Sequence, residues 1–136
     1  MLIVGGIMKI LSIKEPFASL IATKQKKIET RSWKTKYRGE IYIHASITPG
    51  KKDKRISDIM KLVDPKPGYI LCKCNLTDCI YMDEAFLKKI HQNKEEYLYG
   101  HYEIGRYAWI LEDVEIIEPI YAKGKLGIWN YEKEGK

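Results

Sequence analysis

From Tyr69 to Tyr81 the chain alternates, with Ile70, Cys72, Cys74 and Leu76 in one phase and Leu71, Lys73, Asn75 and Thr77 in the other. A period of two sustained over such a run is that of a β-strand, not of a helix face. A strand this long has two edges to pair and an apolar face to bury, so the chain must build a sheet around it. Shorter extended segments are available at Met8 to Lys14, Ile28 to Trp33 and Glu40 to Ser46, and again at Arg106 to Leu111, Val114 to Ile120 and Ile128-Trp129. Glu40 to Ser46 sets Ile41, Ile43 and Ala45 opposite Tyr42 and His44, and Glu112-Asp113 is an acidic bend between two of the later segments.

Helices enter singly between these strands. Glu15-Pro16 opens the first, because proline loses no hydrogen bond at the first helical position and Glu15 suits the positive end of the dipole. Phe17, Leu20 and Ile21 form its apolar stripe, and it ends near Lys24-Gln25. Lys51 to Val63 carries Ile56, Ile59, Met60 and Val63 at helical spacing and stops at Asp64-Pro65-Lys66-Pro67-Gly68. Asp83 caps a third helix running to His91. Residues 92–105 read as irregular; their tyrosines, Tyr97, Tyr99 and Tyr102, with Tyr107, Gly100 and Gly105, make a candidate lid.

Single helices without a βαβ rhythm exclude a doubly wound sheet. The expected class is α+β: a small, mixed, largely antiparallel β-barrel with two to three inserted helices, in one domain over residues 8–136. The apolar start, residues 1–7, has no basic flank and leads into Met8, which competes with Met1 as the first residue. Residues 1–7 are read as an extension outside the domain, non-native or disordered. No apolar run approaches the ~20 residues of a membrane span, and with no export signal the expected location is the cytoplasm, without a membrane partner. Cys72, Cys74 and Cys79 are an odd number, and their alternation makes them core residues rather than metal ligands. No residue pattern requires a cofactor or a metal.

Charge is distributed unevenly. Lys24, Lys26, Lys27, Arg31, Lys34, Lys36 and Arg38 stand against a single acid, Glu29, an excess that equals the net charge of +6 of the whole chain. Trp33 and Tyr37 are interleaved with them. Basic residues mixed with aromatic rings suit a phosphate backbone with stackable bases. Arg31 offers a fork for phosphate or carboxylate, and Trp33 and Tyr37 are candidate stacking platforms, with Lys14 and Ser19 adding polar contacts. Like-charged neighbours depress the pKa of Lys26 while Glu29 opposes them. The alternative is a Glu29–Arg31 ion pair, solvated lysines and a core Trp33.

Four weaker features complete the inventory. His44 is expected to be a hydrogen-bonded surface residue, and Asp78 an inward-facing acid with Arg38 as its partner. The cluster of Lys51, Lys52, Lys54 and Arg55 is read as a solvated face, and Lys123-Gly-Lys-Leu-Gly127 as a tight turn.

Leu11-Ser-Ile-Lys-Glu-Pro-Phe-Ala-Ser-Leu-Ile, Lys26-x-x-Glu29-x-Arg31-Ser-Trp33, Tyr37-Arg38-Gly39 and Ile43-His-Ala-Ser46 together resemble the ASCH domain, a family of the PUA-like superfamily of small β-barrels. Tyr107-Ala-Trp-Ile-Leu-Glu, Pro119 and Lys123-Gly-Lys-Leu-Gly-Ile-Trp129 are similar to its closing strands, so the resemblance spans roughly residues 8–130. The family motif is Gly-x-Lys-x-x-Glu-x-Arg, and Lys24 stands where its glycine is expected.

The resemblance implies a cleft beside the barrel, lined by motif residues, that takes RNA or a modified nucleotide. The candidate contact residues are Lys24, Lys26, Lys27, Glu29, Arg31, Trp33, Tyr37, Arg38 and Ser19, of which Lys26, Glu29 and Arg31 are the motif residues the resemblance places at the cleft. Some small relatives are amidohydrolases acting on N4-acetylcytidine through a motif lysine, a threonine three residues on and a distal glutamate. Lys26 matches that lysine, but Glu29 occupies the threonine position, and Glu84, Glu95, Glu96 and Glu103 compete for the distal role. A hydrolase acting through Lys26 and Glu29 is therefore the alternative to a binding module.

Overall fold

The structure is a computed structural model that describes residues 6–133. The chain runs β1 (Gly6–Lys14), α1 (Phe17–Ala22), β2 (Ile28–Arg31), β3 (Gly39–Ser46), α2 (Lys54–Met60), β4 (Tyr69–Tyr81), α3 (Glu84–Ile90), α4 (Lys94–Leu98), β5 (Tyr107–Tyr121) and β6 (Ile128–Lys133). One six-stranded sheet has the order β2-β5-β4-β3-β1-β6, with β4 in its interior. Only β1 and β3 run parallel; the other four pairings are antiparallel. No helix among the described residues is long and apolar enough to cross a membrane.

The class is mixed α+β, but the sheet is open where a closed barrel was expected. Its outer strands are β2 and β6, which do not pair with each other. β2 spans only four residues, and the amides of Lys27, just before it, and Ile28, its first residue, donate to the Glu96 carboxylate at 2.9 and 3.2 Å. Within residues 1–7, Gly6 and Ile7 extend β1 and pair with Lys133 and Glu132, while residues 1–5, and with them the choice between Met1 and Met8, lie outside the described residues.

Bulges redistribute the alternation of β4. Its register against β5 shifts between Ile70 and Cys72, so Leu71 and Cys72 are both buried. Cys72, Cys74 and Leu76 pack in the main core with Leu11, Ile43 and Trp109, whereas Ile70 joins Ile10, Ala122 and Trp129 in a second cluster. The two cysteines are free and buried, and burial pushes the Cys72 thiol up to about 12 and raises that of Cys74 as well. A further shift between Leu76 and Asp78 turns Asp78 outward, correcting its expected inward position. Arg38 is its partner, at 3.8 Å on the surface.

The helices are shorter than their sequence signals, and there are four among the described residues. Asp53 and Asp83 cap α2 and α3, accepting from the amides of Ile56 and Phe86 at 2.8 Å. The segment expected to be irregular contains α4, capped by Asn93, whose side chain accepts from the Glu96 amide at 3.2 Å. The two strands expected around the acidic bend are one continuous β5, bent where Asp113 takes a φ of 54°. A third apolar cluster of Leu20, Ile59 and Tyr99 ties α1 and α2 to the chain following α4.

Helix α1 ends in a Schellman turn. The Lys24 amide donates to Ile21 O at 3.0 Å and the Gln25 amide to Leu20 O at 2.9 Å. Lys24 itself adopts a φ of 67°, the left-handed conformation that glycine accepts without strain. The lysine has therefore kept the turn rather than reshaped it. Lys24→Gly is expected to raise stability by about 0.5–1 kcal/mol, after the entropy cost of a glycine in the unfolded chain. Urea unfolding checks this through a higher midpoint at unchanged slope, and a lower midpoint would contradict it.

Candidate nucleic-acid interface

The turn after α1 delivers Lys26 into the protein. Its amide donates to Leu20 O at 3.0 Å, and its side chain is 1% exposed. The ammonium donates to the backbone carbonyl of Tyr99 at 2.7 Å and lies 5.6 Å from the centre of the Phe17 ring. Burial lowers its pKa from the ordinary lysine value; the carboxylates of Glu29 and Glu96 oppose this, while Arg55 and Arg31 add to it. Glu29 is 8% exposed and pairs with Arg31 Nη2 at 3.0 Å. Of the four distal glutamates, Glu84, Glu95 and Glu103 are exposed, and only Glu96, 5% exposed, reaches the motif.

Above this buried group lies a cleft of about 880 Å³. Its walls come from the end of β1 (Ser12–Lys14), Phe17, the β2 segment Glu29–Trp33, the end of β3, Lys51 and Arg55, the Tyr99–His101 strip, and the β5–β6 loop Lys123–Gly127. Of the expected site residues, Lys14, Glu29, Arg31 and Trp33 line it. Lys26 sits beneath, holding the Tyr99 wall from behind. Lys24, Lys27, Tyr37, Arg38 and Ser19 are not part of the lining. Ser19 instead donates through its amide and hydroxyl to the buried Glu15 carboxylate, at 2.8 and 2.5 Å, and the Tyr37 hydroxyl donates to Glu40 O at 2.5 Å.

Arg31 is held on one side and open on the other. Its Nη2 serves both Glu29 and the carbonyl of Ser12, the latter at 2.9 Å, while Nη1 makes no hydrogen bond among the described residues. Two buried polar atoms nearby, Arg31 Nε and the Tyr102 hydroxyl, also lack a partner among them. Trp33 is 39% exposed, and its edge-to-face contact with the buried Trp109, at 4.7 Å and 87°, fixes where it stands. The Trp109 indole N–H donates to Trp33 O at 3.3 Å.

The positive charge of the cleft comes mainly from outside the basic stretch. Lys14, Lys51, Lys123 and Lys125 are exposed, line the cleft and make no ion pair among the described residues. The lining arginines, by contrast, brace the walls: Arg55 donates to Leu98 O, and Arg106 donates to His101 O at 2.9 Å. Lys51 was read as part of a solvated face and Lys123 and Lys125 as part of a turn. The available signal was that both segments are basic and flank turns at Pro49-Gly50 and Gly124. His44, expected at the surface, is 1% exposed and bonded at both ring nitrogens, to Ser12 Oγ at 3.0 Å and Ala122 O at 2.7 Å.

The sequence model of the ASCH domain matches residues 11–121, most of the chain. The chain belongs to the ASCH domain family. No curated protein matches it. Among the described residues of this ASCH domain, no group of three or more His, Cys, Asp or Glu side chains is placed to hold a metal.

Lys26 gives this geometry a pH signature. Its folded pKa lies below the unfolded value of 10.5, so the unfolded chain binds more protons in the interval between them. Stability contributed at this residue therefore rises with pH through that interval. Unfolding of wild type and Lys26→Met, compared across the alkaline range, is expected to show the difference moving in favour of wild type toward pH 10.5. A difference independent of pH would contradict a desolvated ammonium.

Proposed function

We propose that this ASCH domain binds single-stranded RNA, or a modified nucleotide within it, with a base against Trp33 and Arg31 and phosphates on the rim lysines. The observation that carries this reading is the set of four exposed lysines, without an ion pair among the described residues, around a concave cleft that also holds a partly exposed tryptophan. A neutral nucleoside would leave those lysines without partners. A phosphodiester strand supplies partners for them, and its bases supply a π-face for Trp33. Arg31 Nη1 adds a donor beside the tryptophan for a base carbonyl or a phosphate oxygen.

The hydrolase alternative has one supporting observation, the desolvation of Lys26, which favours a neutral amine. Two observations weigh against it. The Lys26 amine is outside the cleft lining and bonded to Tyr99 O, and Glu29 is committed to Arg31. Binding is therefore the function the geometry supports best.

Fluorescence-anisotropy titration of a single-stranded oligonucleotide across salt concentrations tests it. Each neutralised phosphate contributes about −0.7 to the log–log slope. Lys123→Ala and Lys125→Ala are each expected to flatten the slope by about 0.7, while Lys34→Ala and Lys36→Ala, outside the cleft, leave it unchanged. Trp33→Ala is expected to weaken binding by about 1–3 kcal/mol without changing the slope. A slope governed by Lys34 and Lys36 instead, or no salt dependence, would overturn the assignment.

A further inference from the structure

Leu126 is 98% exposed, the most exposed of the large hydrophobic residues, and it lines the cleft together with Lys123 and Lys125. A single exposed leucine is ordinary on a protein surface. This one differs in how its loop is rooted. Ala122, at the base of the loop, is buried; its amide donates to Gly68 O at 3.0 Å and its carbonyl accepts from His44 Nε2 at 2.7 Å. The donor on that ring is fixed by a chain of bonds. The Ala122 carbonyl can only accept, so Nε2 carries the hydrogen; in that tautomer Nδ1 accepts from the Ser12 hydroxyl, whose oxygen accepts from the Trp129 indole N–H at 3.0 Å.

Gly124, two residues further on, is held just as closely. A Cβ at Gly124 would lie 2.9 Å from His44 Cε1 and 3.1 Å from Ser12 Oγ, so the backbone rests directly on this buried group. At the far end Gly127 takes a φ of 65°. The result is a loop with a fixed base, two unpaired lysines and an apolar tip over the cleft.

We propose that Leu126 is a wedge that packs against a nucleobase of a bound single strand while Lys123 and Lys125 hold the phosphates on either side. The inference rests on the nucleic-acid reading of the cleft and specifies it further: the ligand is a strand that continues past Trp33 to a second base, not a lone nucleotide. Charge complementarity selects the occupant, because an apolar tip between free lysines matches a base flanked by phosphates. Apolar protein surface would leave both lysines unpaired.

The test uses the full chain and a labelled oligouridylate, with a series of the same strand lacking one base at each position in turn. Leu126→Ser is expected to weaken binding of the intact strand about tenfold, from the lost burial of one apolar side chain. Wild type is expected to lose affinity when one particular base is removed, and Leu126→Ser to be indifferent to that same removal. Gly124→Ala, which displaces the loop from His44, is expected to weaken the intact strand similarly. Equal binding by wild type and Leu126→Ser, with the Lys123 and Lys125 slopes intact, would overturn the wedge alone. Failure of wild type to bind the oligouridylate or any other single strand would overturn the reading on which it rests. Loss of self-association in Leu126→Ser, seen by sedimentation, would overturn the wedge by assigning Leu126 to an interface between copies.

Discussion

The hydrogen bond from the buried Lys26 ammonium to the Tyr99 carbonyl joins the parts of the molecule that make the cleft. An ammonium taken out of water is costly unless it is bonded and countered by charge. Here the countering carboxylates are Glu29, from β2, and Glu96, from α4, and Glu96 also takes the amides of Lys27 and Ile28 at the entry to β2. The Schellman turn after α1, the strand β2 and the wall formed by Tyr99 and Gly100 are thereby bound to one centre. Displacing any of them leaves a charge or an amide unsatisfied in the interior. The candidate lid residues Tyr99 and Gly100 are thus a braced wall rather than a loose flap.

This centre gives the Lys-x-x-Glu-x-Arg spacing a physical meaning. The lysine comes before the strand begins, so it turns inward independently of the β2 alternation and meets the wall. The glutamate faces the same interior and fixes the arginine. The arginine, two residues further along β2, reaches the cleft with one terminal nitrogen open. The motif therefore builds and orients the site more than it touches ligand.

The strands were legible because their patterns are local. Tyr69 to Tyr81 has the same bounds in the sequence reading and in the structure, and the caps at Asp53 and Asp83 follow from side chains adjacent to the helices they start. The helix α4 carried a signal too, Asn93 followed three residues later by Glu96, but the surrounding tyrosines and glycines masked it. Asp78 turned outward because bulges reset the alternation, and a bulge has no marker in the run of residue types. The Glu96 contact was hidden for a similar reason: it joins a carboxylate to the amides of Lys27 and Ile28, some seventy residues away.

The site was legible in part. Lys14, Glu29, Arg31 and Trp33 were expected at the cleft and line it, but the density of charge along the chain was a poor guide to the density of charge in space. Of the basic residues in that stretch Arg31 alone lines the cleft, and lysines from three other segments supply the rim. The most direct measurement is a titration of the ¹⁵N-labelled protein with a single-stranded oligouridylate, followed by amide chemical shifts. Saturable shifts centred on Ser12–Lys14, Arg31–Trp33 and Lys123–Gly127 are the predicted result. Shifts confined to Lys24, Lys27, Lys34 and Lys36, or no saturable shifts with any single strand, would contradict the account.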